Sequence, residues 1–282
     1  MSRMTMRRRI ERLRVGAGDA VTTSRREDRI AVEEPLEIRV GGAQFAVTMR
    51  TPGDDFDLVA GFLLSEGVLG IGAPAAMRVC AGPAADGEPG AENDYNVIDA
   101  TLGPDASTEA LADTRRVLAT SACGLCGIPS LDAVTKASRF DVADDPMRID
   151  LPVLLSLPDR LREHQRLFDD TGGVHAAGLF TADGDLLCLR EDVGRHNAVD
   201  KVVGWAIREG RLPLSGTVLQ VSGRASFELV QKARLAGIPM LSAVSAPSTA
   251  AVAQADAAGL TLAGFSRGTG INLYTRGDRV AR

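Results

Sequence analysis

Residues 191–201 read Glu-Asp-Val-Gly-Arg-His-Asn-Ala-Val-Asp-Lys and show how the second half of the chain is built. The apolar run before them is typical of a strand, Gly194 turns the chain, and a helix is expected to follow to about Glu209. The same order of strand, turn and helix recurs at Ser222–Ser226 and at Ser245–Thr249. Strands that alternate with short helices indicate an α/β layer with a largely parallel sheet.

The individual elements after residue 150 follow from the same patterns. They are a helix that begins near Pro158 and ends at Gly172, strands Val174–Phe180 and Leu186–Arg190, the helix after Gly194, strand Thr217–Ser222, helix Phe227–Ala236, strand Pro239–Ser245, helix Thr249–Ala258, and strands Leu260–Phe265 and Ile271–Tyr274. Asp183-Gly184 between the first two strands predicts a tight hairpin turn.

The first half of the chain is less regular. Alternating segments around Gly41-Gly42 predict a hairpin of Pro35–Val40 with Gln44–Met49, and a helix is expected over Asp57–Glu66. Further elements are predicted at Tyr95–Leu102 (strand), Arg116–Ser121 (strand) and from Ser130 to about Ser138 (helix). The first 28 residues are polar, with six arginines among the first fourteen, and predict a disordered basic tail.

The predicted organisation therefore has three parts. Residues 1–28 are the basic tail, residues 29–148 form a smaller α+β domain, and residues 149–282 form the α/β domain. A chain of 282 residues accommodates two modest domains. The composition excludes collagen, a coiled coil and general disorder, because apolar residues make up 45% without a repeat.

Charge and hydropathy limit the partners. With 32 basic and 37 acidic residues the net charge is −5, so a generic nucleic-acid binder is not expected. No segment is long and apolar enough to predict a membrane span, and no secretory signal is evident. Four cysteines are too few for a disulfide scaffold in a chain of this length, so a cytoplasmic location is expected.

Cys123 and Cys126 form the sharpest local signal, in Ser121-Ala-Cys-Gly-Leu-Cys-Gly-Ile-Pro129. A structural zinc site needs four ligands, and only one close pair is present. A dithiol–disulfide site is compatible with the spacing, although Gly127 and Pro129 disfavour the usual helix. Sulfur transfer needs an exposed thiol with small neighbours, which the flanking glycines supply. Two buried structural thiols are the fourth interpretation, and the residues alone leave all four open.

The strand-to-helix junctions predict an anion site. In an open α/β sheet the carboxyl ends of the strands form the ligand-binding edge, and free N–H groups at helix N-termini favour anions. The residues expected there are Arg195, His196, Ser222, Arg224, Ser226, Phe265, Ser266, Arg267, Gly268, Thr269 and Gly270. They predict a phosphate-rich ligand, with Phe265 able to stack on a base. The alternative is structural, with Asn197 as a helix cap and Asp192 paired with Arg195 at the surface; His175 is equally consistent with a pocket and with a structural role.

Taken together, these segments closely resemble the formate dehydrogenase accessory sulfurtransferase family (FdhD/NarQ). The matching stretches, from about Glu33 to Tyr274, are Glu33–Arg39, Met49–Asp54, Gly61–Gly67, Cys123–Gly127, His175–Phe180, Glu191–Lys201, Ser222–Ser226 and Val244–Pro247. So many ordered matches are specific, whereas a C-x-x-C pair alone is not.

The resemblance implies a function. The family accepts sulfur from a cysteine desulfurase as a cysteine persulfide and delivers it to the bis(molybdopterin guanine dinucleotide) molybdenum cofactor of formate dehydrogenase. By position, Cys123 matches the persulfide-carrying cysteine and Cys126 its partner, and Phe265–Gly270 matches the cofactor-binding stretch. The expected partners are thus the desulfurase, formate dehydrogenase, and the molybdenum cofactor or a guanine nucleotide, with a homodimer as the family's expectation. That cofactor is a client, and no permanently bound cofactor is expected.

The resemblance also implies the fold of the second domain, and two other functions compete with sulfur transfer. The second domain is expected to be a cytidine deaminase-like three-layer domain without the zinc site, because the deaminase Glu and cysteines are missing where His196-Asn-Ala198 and Arg224-Ala-Ser226 stand. No metal site is therefore expected. The competing functions are a non-catalytic molybdenum cofactor chaperone and a redox-regulated binding module.

Overall fold

The computed structural model describes residues 4–70, 72–80, 96–104, 106–107 and 136–282. Its helices are α1 (Asp55–Ser65), α2 (Leu151–Glu163), α3 (Arg166–Thr171), α4 (Arg195–Arg208), α5 (Phe227–Leu235) and α6 (Thr249–Ala257). Its strands are β1 (Thr5–Val15), β2 (Val21–Ala31), β3 (Glu34–Val40), β4 (Ala43–Arg50), β5 (Ala76–Cys80), β6 (Val97–Thr101), β7 (Ile149–Asp150), β8 (His175–Thr181), β9 (Leu186–Asp192), β10 (Thr217–Val221), β11 (Met240–Ala243), β12 (Thr261–Arg267), β13 (Gly270–Thr275) and β14 (Val280–Ala281).

The second half is built on a six-stranded sheet of order β13-β12-β11-β10-β8-β9. Only β10–β11 and β11–β12 are parallel pairs; the pairs β12–β13, β10–β8 and β8–β9 are antiparallel. The expected largely parallel sheet is therefore wrong: a parallel centre carries antiparallel strands on both sides. The reason is that hairpins, which need only short connections, supply β9 and β13.

A helical layer packs on each face of this sheet, which gives three layers in all, and the alternation of side chains along the strands explains the layering. In β10, Leu219 and Val221 face the core under α4, α5 and α6, whereas Val218 faces the core under α2. The fold is thus a mixed α/β three-layer arrangement, preceded by a smaller α+β part, as the sequence predicts.

The smaller part is a four-stranded sheet of order β4-β3-β6-β5, next to α1. The predicted hairpin is confirmed, because β3 pairs antiparallel with β4 around Gly41 and Gly42. Both glycines have positive φ angles, 58° and 82°, which L residues with a side chain disfavour. The main hydrophobic core includes Leu58 of α1 and Val199 of α4, so it crosses the predicted boundary near residue 148, which stays a prediction.

Helices α1 and α4 approach each other through two glycines. A Cβ atom added to Gly61 would collide with the main chain of Asp200, and one added to Gly204 would collide with the main chain of Asp57. Only glycine fits at this crossing, so the two residues fix how closely the smaller part sits on the larger one.

The N-terminal segment differs most from expectation. Where a disordered basic tail is predicted over residues 1–28, β1 and β2 form a long antiparallel hairpin. Cross-strand charge pairs explain part of this order, because Arg8 lies opposite Asp28 and Arg9 lies opposite Glu27. The prediction was wrong because a ribbon exposed on both faces has no alternation of polar and apolar residues.

Two helix boundaries also differ. Helix α2 begins at Leu151, so Pro158 lies inside it and not at its start. Burial of Leu154, Leu157 and Leu161 stabilises the helix on both sides of the proline. Most of the helix expected from Ser130 lies outside the described residues, and its last three, 136–138, are not helical. Among the described helices, none is long and apolar enough to cross a membrane.

Candidate functional site

The cysteine pair lies outside the part of the chain that the structure describes. Cys123 and Cys126 belong to residues 108–135, so their surroundings rest on the sequence alone. The described residues on either side of this segment, Ser107 and Lys136, form hydrogen bonds near the C-terminal end of α1. The amide of Ser107 donates to the Val68 carbonyl at 3.0 Å, and Lys136 Nζ donates to the Ser65 carbonyl at 2.7 Å. The two described residues that flank the cysteine-bearing segment, Ser107 and Lys136, are therefore held beside the C-terminal end of α1.

The start of α4 is fixed by a buried carboxylate. Asp192 accepts hydrogen bonds from the amide of Gly194 at 2.8 Å, Asn197 Nδ2 at 3.0 Å and the amide of Thr51 at 3.1 Å. Lys201 Nζ lies 2.7 Å from Asp192 Oδ2, and both side chains are fully buried. Gly194 directly precedes α4, Asn197 and Lys201 lie in it, and Thr51 directly follows β4, so the carboxylate connects the start of α4 to the end of β4.

These contacts differ from the structural roles that the sequence suggested for Asn197, Asp192 and Arg195. Asn197 is not a helix cap; its amide bonds the Met49 carbonyl at 2.7 Å as well as Asp192. Asp192 is paired with Lys201 in the interior and not with Arg195 at the surface. Arg195 is consequently left available, at the first position of α4.

Basic side chains converge around that position. Burial lowers the pKa of the His175 imidazole. The positive charges of Arg195, His196 and Arg224 lower the same pKa further, which identifies these three as its neighbours. Gly223 also lies against this imidazole, because a Cβ added there would be 3.4 Å from His175 Nδ1. A cluster of this kind attracts an anion.

Arg195 has a free donor within the cluster. Its Nε atom is buried and has no hydrogen-bond partner among the described residues. The N-cap residue of α4, Gly194, supplies no side-chain cap, and the first amides of a helix have no acceptor within the helix itself. A guanidinium beside a helix N-terminus is suited to a phosphate or carboxylate group.

His196 connects α4 to α5. Its Nε2 lies 3.3 Å from Ser226 Oγ and 3.7 Å from Glu228 Oε2. The interaction with His196 lowers the pKa of Glu228 to about 2, although partial burial opposes this. Glu228 is therefore ionised at neutral pH, and it balances part of the positive charge of the cluster.

Ser222 has a structural contact. Its hydroxyl accepts a hydrogen bond from the amide of Ala176 at 2.9 Å, which ties the end of β10 to the start of β8. Arg224, two residues later, is exposed. Of the residues predicted in this loop, Arg224 and Ser226 thus face the cluster more directly than Ser222.

The C-terminal stretch is a hairpin at the same edge of the sheet. Phe265, Ser266 and Arg267 end β12, Gly268 and Thr269 form the turn, and Gly270 begins β13. Phe265 is 37% exposed and has a φ of 52°, a strained angle for a residue with a side chain. Ser266 is buried, and its hydroxyl has no partner among the described residues.

Main-chain hydrogen bonds join three loops into one edge. The amide of Ser245 donates to the Gly223 carbonyl, and the amide of Phe265 donates to the Ser245 carbonyl, each at 3.2 Å. Ala225 also forms a bridge with Pro247. The ends of β10, β11 and β12 are therefore adjacent, as the strand-to-helix pattern predicts.

Two residues of the cluster were not predicted with the site. His175 begins β8, and because β8 runs antiparallel to β10 its start lies at the edge where β10 ends. Glu228 lies in the first turn of α5. A parallel sheet would place the start of β8 at the opposite edge, so that expectation gave no reason to include His175. Nothing in the sequence distinguishes Glu228 from an ordinary helix residue. No group of three potential metal ligands occurs within the described residues.

Comparison with known proteins gives the relationship. The model of the FdhD/NarQ family matches residues 31–281. A protein from Mycolicibacterium paratuberculosis named sulfur carrier protein FdhD is 53% identical over 278 residues, which cover 98% of this chain and 99% of that protein. One of the same name from Streptomyces avermitilis is 55% identical over 283 residues, covering 100% of this chain and 97% of that protein.

The fold has a solved counterpart. A crystal structure of a protein from Desulfotalea psychrophila superposes with a TM-score of 0.72 at 21% identity, covering 98% of this chain and 99% of that one. This likeness concerns the fold, whereas the family match and the full-length identities concern ancestry. On those grounds the chain belongs to the FdhD/NarQ family.

Proposed function

We propose that this protein is a sulfur carrier in the maturation of formate dehydrogenase. It accepts sulfur from a cysteine desulfurase as a persulfide on Cys123 and delivers it to the bis(molybdopterin guanine dinucleotide) molybdenum cofactor, its client. The carrier role is supported by full-length identity of 53% and 55% to two proteins named sulfur carrier protein. The observation that carries the client's identity is the basic cluster at the start of α4 with its unpartnered Arg195 Nε.

The acceptance step is a thiol–persulfide exchange. The Cys123 thiolate attacks the outer sulfur of the desulfurase persulfide, a new S–S bond forms on Cys123, and the desulfurase cysteine leaves as a thiolate. No electrons are gained or lost overall. The glycines next to the pair, Gly124 and Gly127, suit the access that this attack requires.

Release of the sulfur as sulfide needs two electrons, and Cys126 can supply them. Its thiolate attacks the inner sulfur of the Cys123 persulfide, a Cys123–Cys126 disulfide forms, and hydrosulfide leaves. The C-x-x-C spacing permits such a disulfide. A cellular thiol reductant then regenerates both thiols.

The client is held through its phosphates in this proposal. Arg195 and the first amides of α4 would bind one phosphate group, and Arg224 would screen the remaining negative charge. The exposed ring of Phe265 offers a stacking surface for a guanine base. Ser226, His196 and the 266–270 hairpin complete the edge on which the dinucleotide lies. The charges present thus fit an anionic, phosphate-rich group.

The test is intact mass spectrometry after incubation with a cysteine desulfurase and cysteine. Wild type is expected to gain the mass of one sulfur atom, about 32 Da, and Cys123→Ala is expected to gain none. Cys126→Ala should accept sulfur but fail to release sulfide, which a sulfide assay measures.

Two outcomes would redirect the proposal. If Cys126→Ala alone loses the added mass, the roles of the two cysteines are exchanged. If no variant gains sulfur while the protein still binds the client, the protein is a non-catalytic chaperone of the molybdenum cofactor.

A further inference from the structure

The β1–β2 hairpin, Thr5–Ala31, is an arm that its own protein does not cover. None of the residues in its two 11-residue strands is buried. The arm is attached to the body at its base, where Arg29 Nη1 pairs with Asp170 at 2.7 Å. At the same end the Val32 amide donates to the Met4 carbonyl at 2.9 Å and closes the hairpin on itself. A two-stranded ribbon without a third strand or a packed face is marginally stable in water. Packing against another protein surface would therefore stabilise the free end of the arm.

The free end is apolar on one face. Val15 lies opposite Val21, and Leu13, two residues along β1, lies opposite Thr23. Alternation places Leu13, Val15 and Val21 on the same face. These side chains are 63%, 71% and 63% exposed, respectively. Three adjacent exposed aliphatic side chains at the tip of a projecting element are typical of a surface that contacts another molecule.

The arm and the rest of the chain carry opposite charge. Residues 5–31 contain eight arginines and four acidic residues, a net charge of +4 (8 − 4). Since the whole chain carries −5, the remaining residues carry −9 (−5 − 4). An arm of this charge is attracted to a body like its own, whereas two arms lying on each other would repel.

We propose that the arm is a self-association surface that lies on the body of a second copy of this chain. In a two-fold dimer each protomer gives one arm and receives the other, with Leu13, Val15 and Val21 against the partner's body. The arginines of the arm then meet the net negative body. The proposal does not depend on the sulfur-carrier function.

The size of the contact fits a stable dimer. Eleven residues at roughly 3.3 Å each make an arm about 36 Å long. With a width of about 10 Å, one face presents about 360 Å², so that an exchanged pair covers about 700 Å² on each protomer, near the standard of about 800 Å² per partner.

The test uses full-length protein and two neighbouring substitutions. Val21→Asp changes the apolar face, and Thr22→Asp places the same charge on the opposite face of the same strand. Sedimentation equilibrium would measure the dimer dissociation constant, with thermal unfolding as the check that both variants fold. We expect Val21→Asp to weaken the dimer about 100-fold, about tenfold for each of the two symmetric contacts. Thr22→Asp should change it less than about threefold.

Three results would overturn the proposal. One is a wild-type protein that stays monomeric at micromolar concentrations. Another is a Val21→Asp variant that associates as tightly as wild type, and the third is a Thr22→Asp variant that is weakened equally.

A further measurement covers the case in which Val21→Asp melts the arm itself. Hydrogen exchange of residues 5–31 in wild type should slow as chain concentration rises, and exchange that is independent of concentration would show that no second copy covers the arm.

Discussion

Replacing Gly204 by alanine should separate the two helices that join the smaller and larger parts of the fold. The added methyl group would collide with the carbonyl oxygen of Asp57, would lie 2.6 Å from that residue's carbonyl carbon, and would lie 2.8 Å from the amide nitrogen of Gly61. All three are main-chain atoms, so no side-chain rotation relieves the overlap. Helix α1 must shift as a unit.

The magnitude follows from two opposing effects. Glycine in a helix is less stable than alanine by about 0.5–1 kcal/mol, so the substitution alone would stabilise α4. Overpacking in a close-packed interior costs about 1–3 kcal/mol, and backbone contacts put this site at the upper end. The net expectation is a loss of about 2 kcal/mol, or roughly 4–8 °C in Tm for a chain of this size.

Thermal and urea unfolding would measure the effect, with Gly103→Ala as the control. Gly103 lies in the smaller part, and a Cβ added there meets nothing within 4 Å. The control is therefore expected to melt within about 1 °C of wild type. If Gly204→Ala also melts within that range, the close helix crossing is not a constraint on the fold and the reasoning fails.

Other expectations follow from the site. Lys201→Met leaves the Asp192 carboxylate buried without its partner, so urea unfolding should show a loss of about 3–5 kcal/mol, which Asp192→Asn in the same chain should partly restore. Burial lowers the pKa of His175 from 6.5, so the imidazole in the folded protein resists protonation. Wild type should therefore lose unfolding free energy relative to His175→Gln as pH falls below 6.5. Parallel plots of unfolding free energy against pH for the two proteins between pH 5 and 8 would contradict this. Arg195→Lys should weaken binding of guanosine diphosphate about tenfold by calorimetry, because lysine lacks the planar fork, whereas Arg234→Lys, at the far end of α5, should bind as wild type does.

Much of the second half could be predicted because each strand is followed by a recognisable turn and helix. The turn at Gly184, with a φ of 85°, and the junctions at Gly194 and Ser226 lie where the sequence places them. Strand direction was not predictable in the same way, because an apolar run reads alike in either direction. For this reason the sequence alone does not decide between a pocket and a structural role for His175, which begins an antiparallel strand and lies within the basic cluster.

Other features depend on distant contacts. The helix crossing at Gly61 and Gly204 joins residues far apart in the chain, and isolated glycines within helices gave no indication of their partner. The buried pair of Asp192 with Lys201 was missed for a related reason. Charged residues near a helix start are usually at the surface, and only the packing of β4 against α4 removes these from water.

A chain of contacts connects Lys136, which follows the cysteine-bearing segment, to the basic cluster at the start of α4. Asp200 lies four residues after His196 on α4, and Lys232 lies four residues after Glu228 on α5, so each pair shares a helix face at a rise of about 6 Å. Lys232 Nζ is 2.7 Å from both carboxylate oxygens of Asp200, one turn below the contact between His196 and Glu228. The two helices are thus connected twice along the same faces.

Helix α1 joins this lower contact. Ser65 Oγ donates to Asp200 Oδ1 at 2.8 Å, and the carbonyl of Ser65 accepts a hydrogen bond from Lys136 Nζ at 2.7 Å. Lys136, the tenth residue after Cys126, is therefore attached about one helical turn from the contact between His196 and Glu228 in the basic cluster. Ten residues reach at most about 36 Å, so a cysteine tied at this point stays within range of a ligand bound at the start of α4. In the proposed sulfur transfer, the attachment of Lys136 thus limits how far along the chain Cys126 can lie from a client bound at the start of α4.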